Sequence, residues 1–263
     1  MLLAMVNSKG GVGKSTLAVH ASVWLCERGL RVAVIDADAQ GSTSQWLSQA
    51  APDIRIEACQ TAQEITDRWQ RLRMLYDVVV ADGPAALNAE TGALVASADV
   101  VLLPIGPSMM DVQASYRTAR LIYKVRLQHK RGGFPIAYTV LNRVLSRSRL
   151  AKTASEAVAK FGFPTAATTL HLRQPYADAC GRGTVVWRMG LAASKAASEI
   201  TSLFREVLAV QSNESGRGTL PIERLTYQDK PLEPIVEASL PTARGPTRDI
   251  ASPPKLPTLP SLE

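Results

Sequence analysis

The chain has 263 residues, of which 46% are hydrophobic and 20% charged, a balance typical of a soluble protein with a buried core. No apolar run approaches the roughly 20 residues of a membrane-spanning helix, and the first residues lack the basic segment and cleavage site of a signal peptide. The three cysteines and three histidines are scattered, which argues against a disulfide framework or a clustered metal site and indicates reduced thiols in a cytoplasmic protein.

Charge is distributed unevenly along the chain, whose formal net charge is +7. Residues 1–110 hold 8 Lys/Arg against 11 Asp/Glu, whereas residues 111–206 hold 16 against 5. Residues 207–263 are nearly neutral, with 6 against 7. This asymmetry indicates that one half of the fold faces a polyanion.

Strand-like runs alternate with helical patterns through the first two hundred residues. Several runs are continuously apolar, as expected of strands covered on both faces. The predicted strands are 2–7, 31–38, 54–59, 76–82, 100–106, 136–142 and 165–170. The alternation predicts an α/β fold with a doubly wound, mostly parallel sheet, whose ligands bind beyond the carboxyl ends of the strands.

The last predicted helix covers residues 191–210, and its apolar side chains form one stripe for core packing. That stripe consists of Leu191, Ile200, Leu203, Phe204, Val207 and Leu208. Residues 211–263 contain nine of the sixteen prolines and little that could form a core. We therefore predict one folded domain, 1–210, and a disordered tail, 211–263.

Residues 9–16, with the sequence KGGVGKST, link the first predicted strand to a helical pattern that Gly29 closes. This is the setting of a phosphate-binding loop, in which backbone N–H groups and a helix N-terminus surround phosphate oxygens. Lys14 is placed to reach the β- and γ-phosphates, and the Ser15 hydroxyl to bind Mg²⁺. The loop therefore predicts a nucleoside triphosphate site.

Two features of the loop depart from the common pattern G-x-x-x-x-G-K-[ST]. Ser8 stands where that pattern has glycine, and a second lysine, Lys9, stands five residues before Lys14. A further cation at this point has no evident use within one subunit.

Acidic residues follow two of the predicted strands. Asp36 and Asp38 end the second strand, and Asp82 ends the fourth in a Walker B arrangement. A carboxylate at a strand end can bind Mg²⁺ through water or orient an attacking water. The alternative is that these carboxylates cap the following turns.

The segments KGGVGKST, VIDADAQGS, YDVVVADGPA and VVLLPIGPSMMD, in this order and spacing, resemble the deviant-Walker ATPases of the ParA/MinD family. The resemblance covers about residues 1–208 and is strongest to the short partition ATPases of plasmids. It implies a P-loop NTPase fold, with ATP and Mg²⁺ as cofactors.

The family's mechanism explains the second lysine. By this resemblance, Lys9 reaches across an ATP-sandwich dimer to the phosphates bound by the other subunit. The residue matching Asp38 positions or activates the hydrolytic water, and the one matching Asp82 is the Walker B acid. Gln40 matches the glutamine of the D-x-D-P-Q motif, although Ala39 replaces its proline.

Asn142 ends the sixth predicted strand, where family members often place a residue against the base. The resemblance thus implies a contact with adenine, and the alternative is that this residue merely turns the chain. The implied catalytic residues are Lys9, Lys14 and Asp38. The implied ATP-binding residues are Lys9, Gly10, Gly11, Val12, Gly13, Lys14, Ser15, Thr16 and Asn142. The implied metal ligands are Ser15, Asp38 and Asp82.

ParA-like dimers bind double-stranded DNA without sequence preference, and the basic second half of this chain fits such a partner. The candidate DNA-binding residues are Arg143, Arg147, Arg149, Lys152, Arg173, Arg182, Arg188 and Lys195. Aromatic residues do not interleave with these charges, which favours duplex over single-stranded DNA.

Several relatives of the family are excluded by what this sequence lacks. The tail is too rich in proline for the membrane helix of cell-division members, and seven residues before Ser8 leave no room for a helix-turn-helix domain. The cluster cysteines of nitrogenase-type iron proteins and the tyrosine cluster of bacterial tyrosine kinases are missing as well.

The sequence is thus identified as a ParA-type ATPase that works as a homodimer in the cytoplasm, on the nucleoid and not on a membrane. Its weak hydrolysis is expected to be stimulated by a ParB-like or cargo-adaptor protein. The cargo is a plasmid or chromosome, or alternatively a protein body such as a carboxysome or a chemoreceptor cluster. Two readings of other classes stay open, a metabolic P-loop ligase and a nucleotide switch with negligible hydrolysis.

Overall fold

The structure is a computed structural model that describes residues 1–128, 134–146, 149–208, 211–212 and 218–219. The side chains of 149–151 and of the last four residues are outside this description. The predicted tail lies outside the described residues except for two short strands, β7 (Gln211–Ser212) and β8 (Gly218–Thr219), which pair antiparallel. The boundary at 210 and the disorder of the tail stay predictions.

Six parallel strands form one sheet in the order β3-β2-β4-β1-β5-β6. The strands are β1 (Leu2–Met5), β2 (Val32–Asp36), β3 (Arg55–Ala58), β4 (Val78–Asp82), β5 (Val100–Ile105) and β6 (Ile136–Leu141). β1, β2, β4 and β5 are buried along their whole length, as strands with helices on both faces must be. The predicted doubly wound parallel sheet is confirmed.

Helices cover both faces of the sheet and create two hydrophobic cores. The helices are α1 (Lys14–Cys26), α2 (Ser42–Ala50), α3 (Ala62–Leu75), α4 (Ala89–Ser97), α5 (Met109–Gln128), α6 (Arg149–Val158), α7 (Gln174–Gly181) and α8 (Ser194–Leu208). Side chains of α1, α2, α7 and α8 contribute to one core, and side chains of α3, α4, α5 and α6 to the other. None of the described helices is both long and apolar enough to cross a bilayer.

The predicted seventh strand, 165–170, does not form. Its start makes an isolated parallel bridge to β6, where the Ala166 N–H donates to the carbonyl of Thr139 at 2.8 Å. The next two N–H groups, of Ala167 and Thr168, instead donate to the carboxylate of Glu206 on α8, at 2.6 and 3.0 Å. A side chain from a distant helix thus takes the donors that a strand ladder would need.

The last helix is shorter than predicted, because residues 191–193 form a separate 3₁₀ turn before α8. The predicted apolar stripe is buried from Ile200 to Leu208, but Leu191 is 92% exposed. The prediction that Leu191 packs in the core is therefore wrong.

Candidate nucleotide site

The loop between β1 and α1 has the backbone geometry of an anion-binding loop. Gly13 precedes the first residue of α1 with a left-handed φ of 96°, and Gly11 has a φ of 72°. A Cβ at Gly13 would also collide with the side-chain amide of Asn142. Glycine is therefore required here both for its backbone angle and for its missing side chain. The N-terminus of α1 faces the loop and adds its positive dipole end.

The two lysines of the loop have different surroundings. Lys14 is 5% exposed, and its Nζ lies 3.4 Å from the carbonyl oxygen of Lys9. Burial lowers the pKa of Lys14, which the nearby carboxylates of Asp82 and Asp38 oppose. Lys14 lines a cavity above the loop, whereas Lys9 is half-buried and is not among the described residues lining it. Lys14 is thus placed to meet an anion bound by its own subunit.

The cavity has a volume of about 480 Å³, within the usual range for a small-molecule site. The phosphate loop and the start of α1 form one wall, and residues after β2 and β6 and in α7 form the others. Polar and charged side chains in these walls are Lys14, Ser15, Thr16, Asp38, Gln40, Ser42, Asn142, Arg143, His171, Arg173 and Tyr176. The cavity therefore combines the phosphate loop with polar and apolar side chains of the kind that could surround a nucleoside.

Asp38 lies in the cavity wall and is half-buried. One of its oxygens, Oδ1, accepts a hydrogen bond from the Gln40 N–H at 3.0 Å. Asp36, by contrast, is buried and caps α2, because its Oδ2 accepts from both the N–H and the hydroxyl of Ser44, at 2.8 and 2.6 Å. Of these two carboxylates, only that of Asp38 is among the described side chains that line the cavity.

Asp82 is fully buried at the end of β4. Its Oδ2 accepts a hydrogen bond from the Thr43 hydroxyl at 2.7 Å, and its Oδ1 has no hydrogen-bond partner among the described residues. Burial raises the pKa of Asp82 to about 6, and the hydroxyls of Ser15 and Thr43 oppose the shift. A buried carboxylate oxygen without a partner is costly unless a ligand satisfies it.

These residues fit a magnesium ion. Mg²⁺ is usually held by one or two carboxylates together with waters and substrate phosphates, and so needs no cluster of protein ligands. The described residues contain no group of three or more His, Cys, Asp or Glu that could hold a metal by themselves. The unsatisfied Oδ1 of Asp82 and the Ser15 hydroxyl are the groups that would support an ion brought in with a nucleotide.

A family model described as the CobQ/CobB/MinD/ParA nucleotide binding domain matches residues 3–186. The chain belongs to the ParA/MinD family of deviant-Walker ATPases. It is 31% identical over 210 residues to "Maintenance of carboxysome distribution protein A" of Halothiobacillus neapolitanus, covering 78% of this chain and 95% of that protein. It is 33% identical over 165 residues to "Chromosome partitioning protein ParA" of Caulobacter vibrioides, covering 60% and 54%.

The fold is also that of a solved family member. The septum site-determining protein MinD of Pyrococcus horikoshii, complexed with Mg-ADP, aligns with a TM-score of 0.62 at 19% identity. The alignment covers 78% of this chain and 95% of that one. Members of this family are P-loop ATPases, and residues 3–186 match their nucleotide binding domain.

Asn142 and Arg143 follow β6 and reach the ParA/MinD-type loop. Asn142 Nδ2 donates to the Val12 carbonyl at 2.7 Å, and Arg143 Nη1 donates to the Gly11 carbonyl at 2.6 Å. Asn142 thus lies in the cavity wall, as a contact with adenine requires, but its amide is already engaged with the loop. The predicted adenine contact stays a prediction.

The other predicted DNA-binding residues are dispersed. Arg173 pairs with Glu199 at 2.5 Å, and Arg188 pairs with Glu27 at 2.7 Å. Lys152, Arg182 and Lys195 are exposed. Arg147 and the side chain of Arg149 lie outside the described residues.

A basic stripe on α5 was not predicted from the sequence. It consists of Arg117, Arg120 and Lys124, all of them exposed, and their helical spacing was the signal in the sequence.

Proposed function

We propose that the chain is a ParA-type positioning ATPase, in which ATP joins two copies face to face and each Lys9 contacts the nucleotide of the other copy. The observation that carries this proposal is the division between the two loop lysines. Lys14 lies in the cavity of its own subunit, whereas Lys9 is not among the described residues lining it. A cation on the loop but outside its own cavity is suited to a phosphate held by a second subunit.

The residues in and beside one cavity have distinct parts in hydrolysis. Lys14 and the loop N–H groups bind the phosphates, and Asp38 orients the attacking water from the cavity wall. Ser15 and Asp82 support the metal ion, which when bound neutralises charge on the phosphates. Within the family, a stimulating partner would raise a slow basal rate, and hydrolysis would separate the two copies.

The proposed binding partner is double-stranded DNA, bound without sequence preference. The outer stripe of α5 carries Arg117, Arg120 and Lys124 with no acidic residue between them. The opposite side of the same helix touches the phosphate loop, where the Ser8 N–H donates to the Thr118 hydroxyl at 3.0 Å. This contact connects the phosphate loop to the helix that carries the basic stripe.

The proposed cargo is a body moved by this cycle of binding and release. The carboxysome-distribution relative, aligned over 95% of its length, favours a protein body. The chromosome-partitioning relative, aligned over 54% of its length, favours a DNA cargo less strongly. The two cargoes share one mechanism, so the experiment below tests the mechanism itself.

The test is binding to an unrelated duplex, measured by fluorescence anisotropy with ATP, ADP or no nucleotide over a range of salt concentrations. We expect tight binding with ATP alone. In a plot of the logarithm of the binding constant against the logarithm of the salt concentration, replacing Arg117 and Lys124 together by Gln should make the slope less steep. The change should be about one unit for each phosphate that the variant no longer neutralises. The matched control is Arg71→Gln, which removes an exposed charge on α3.

Binding that ignores the nucleotide, or that fails at low salt, would contradict the positioning role and favour a metabolic ligase. Release of phosphate, measured with and without DNA, separates the ATPase from a switch with negligible hydrolysis. In the ATPase, Asp38→Ala should trap the ATP-bound form on DNA.

A further inference from the structure

Two consecutive residues after β6 hold two consecutive carbonyls of the phosphate loop. Asn142 Nδ2 donates to the Val12 oxygen at 2.7 Å, and Arg143 Nη1 donates to the Gly11 oxygen at 2.6 Å. Asn142 is 7% exposed, and its contact with the loop is close enough to exclude any Cβ at Gly13. The loop is therefore fastened to the sheet at a point more than 120 residues away in the chain.

The turn that presents these two side chains has an unusual backbone. Among the described residues other than glycine, Arg143 is the one with a left-handed φ, at 58°. Such a conformation is costly for a bulky side chain and persists where the surroundings impose it. Here the Arg143 N–H donates to the Asn142 Oδ1 at 2.9 Å, so the same amide fixes the turn and the loop.

The orientation of the loop carbonyls matters for anion binding. A phosphate is bound by N–H groups that point into the site, and a carbonyl turned inward would repel it. Glycine-rich peptides reorient easily because few backbone conformations are forbidden to them. The hydrogen bonds to the Gly11 and Val12 oxygens fix the orientation of these two peptides, and with it the orientation of the neighbouring N–H groups.

We propose that Asn142 and Arg143 are positioning residues that hold the phosphate loop in its anion-binding conformation before nucleotide arrives. Arg143 accordingly acts at the nucleotide cavity, which it lines, rather than on DNA. The inference rests on the proposed function in one respect, namely that this loop binds a nucleotide.

The experiment compares Arg143→Gln, Arg143→Lys and Arg143→Gly with the wild-type chain. Affinity for Mg-ADP and for inorganic tripolyphosphate is measured by calorimetry, and amide hydrogen exchange of residues 10–14 is followed without nucleotide. We expect Arg143→Gln to lower the affinity for both ligands by about tenfold, as for loss of a charge-assisted hydrogen bond. Exchange of the loop amides should become faster.

The two other variants separate charge from backbone strain. Arg143→Lys should restore part of the affinity, because its ammonium can still donate to a carbonyl. Arg143→Gly keeps the left-handed turn without a side chain, so it should bind as weakly as Arg143→Gln without losing thermal stability. Arg71→Gln on α3 is the charge-matched control and should leave affinity and loop exchange unchanged.

Three results would overturn the inference. The first is unchanged affinity and loop exchange in Arg143→Gln. The second is weaker DNA binding at saturating ATP with unchanged nucleotide affinity, which would return Arg143 to the DNA surface. The third is an Asn142→Ala variant with lower affinity for Mg-ADP and unchanged affinity for tripolyphosphate, which would mean that Asn142 contacts the adenine base. Failure of the wild-type chain to bind DNA would instead contradict the proposed function and leave this inference standing.

Discussion

At the scale of single residues, hydrogen bonds decide the roles of two buried carboxylates. Asp36 and Asp82 are neighbours across β2 and β4, and both are nearly or fully buried. The Asp36 carboxylate accepts from the backbone and hydroxyl of Ser44, whereas one oxygen of Asp82 has no hydrogen-bond partner in the part of the chain that the structure describes. The first carboxylate stabilises a helix start, and the second is available to a ligand.

His20 is a buried residue with a clear consequence for stability. Its Nδ1 lies 2.7 Å from the Thr16 carbonyl, its Nε2 accepts from the Val186 N–H at 3.3 Å, and Trp46 and Trp187 meet its ring edge to face. Burial lowers its pKa to about 4, which the hydrogen bond to Thr16 opposes. The imidazole is therefore neutral in the folded protein and gains a proton on unfolding below pH 6.5.

We expect His20 to make folding pH-dependent. Its folded pKa is depressed, so its contribution is complete above pH 6.5 and is lost as the pH falls toward 4. At 1.36 kcal/mol per pKa unit, the loss between pH 8 and pH 5 is about 2 kcal/mol. Urea unfolding at pH 8 and pH 5 measures the free energy of unfolding. Between these pH values, wild type should lose about 2 kcal/mol more of it than His20→Asn. Equal losses in both proteins would mean that His20 does not titrate as described.

At the scale of elements, α3 shows how a local signal fixes a helix start. Thr61 Oγ1 accepts from the Glu64 N–H, and the Glu64 carboxylate accepts from the Thr61 N–H, both at 3.2 Å. This reciprocal pair satisfies two of the donors that a helix start leaves free. α3 packs on the sheet face opposite α1, and none of its residues is among those lining the nucleotide cavity.

Thr61→Ala should therefore reduce stability without affecting nucleotide binding. Loss of an N-cap costs about 1 kcal/mol, or about 2–4 °C in Tm for a domain of this size. Thermal unfolding measures the first effect, and calorimetry with Mg-ADP the second. Thr61→Ser keeps the accepting hydroxyl and serves as the control. A marked loss of nucleotide affinity in Thr61→Ala would show that α3 is coupled to the site.

At the scale of the whole molecule, strand order assembles the site. β1 lies between β4 and β5, and β2 lies beyond β4. The phosphate loop after β1, Asp38 after β2 and Asp82 at the end of β4 consequently meet at one edge, although they are far apart in the chain. Parallel sheets of this kind bind ligands at the point where strand order reverses, which here is beside β1.

Assembly of two such molecules is the prediction at this scale. Lys9→Ala should bind Mg-ADP with nearly wild-type affinity as a monomer, yet fail to form a dimer with ATP, because the cation that reaches the second nucleotide is gone. Lys14→Ala, the contrasting control, should lose nucleotide binding and dimerisation together. Sedimentation measures dimerisation of the two variants in an Asp38→Ala background, where slow hydrolysis preserves the ATP state. An ATP-dependent dimer of Lys9→Ala would refute the role given to Lys9.

The sequence by itself determined the parts of this protein that local patterns specify. Apolar runs, several of them continuous, mark the strands of the sheet, and the glycines with Lys14 mark the phosphate loop, because strand burial and tight turns restrict residue type locally. The family also followed from the order of short motifs, since each one places chemical groups that a nucleotide needs.

Only the tertiary structure decided the features that depend on contacts across the chain. Glu206 takes the donors of the expected seventh strand, and Leu191 lies exposed before α8. Arg143 turns to the loop, and Arg173 and Arg188 pair with carboxylates more than 20 residues away. A basic residue has the same appearance in sequence whether it meets solvent, a carboxylate or a carbonyl. Its role is set by the groups that folding brings beside it.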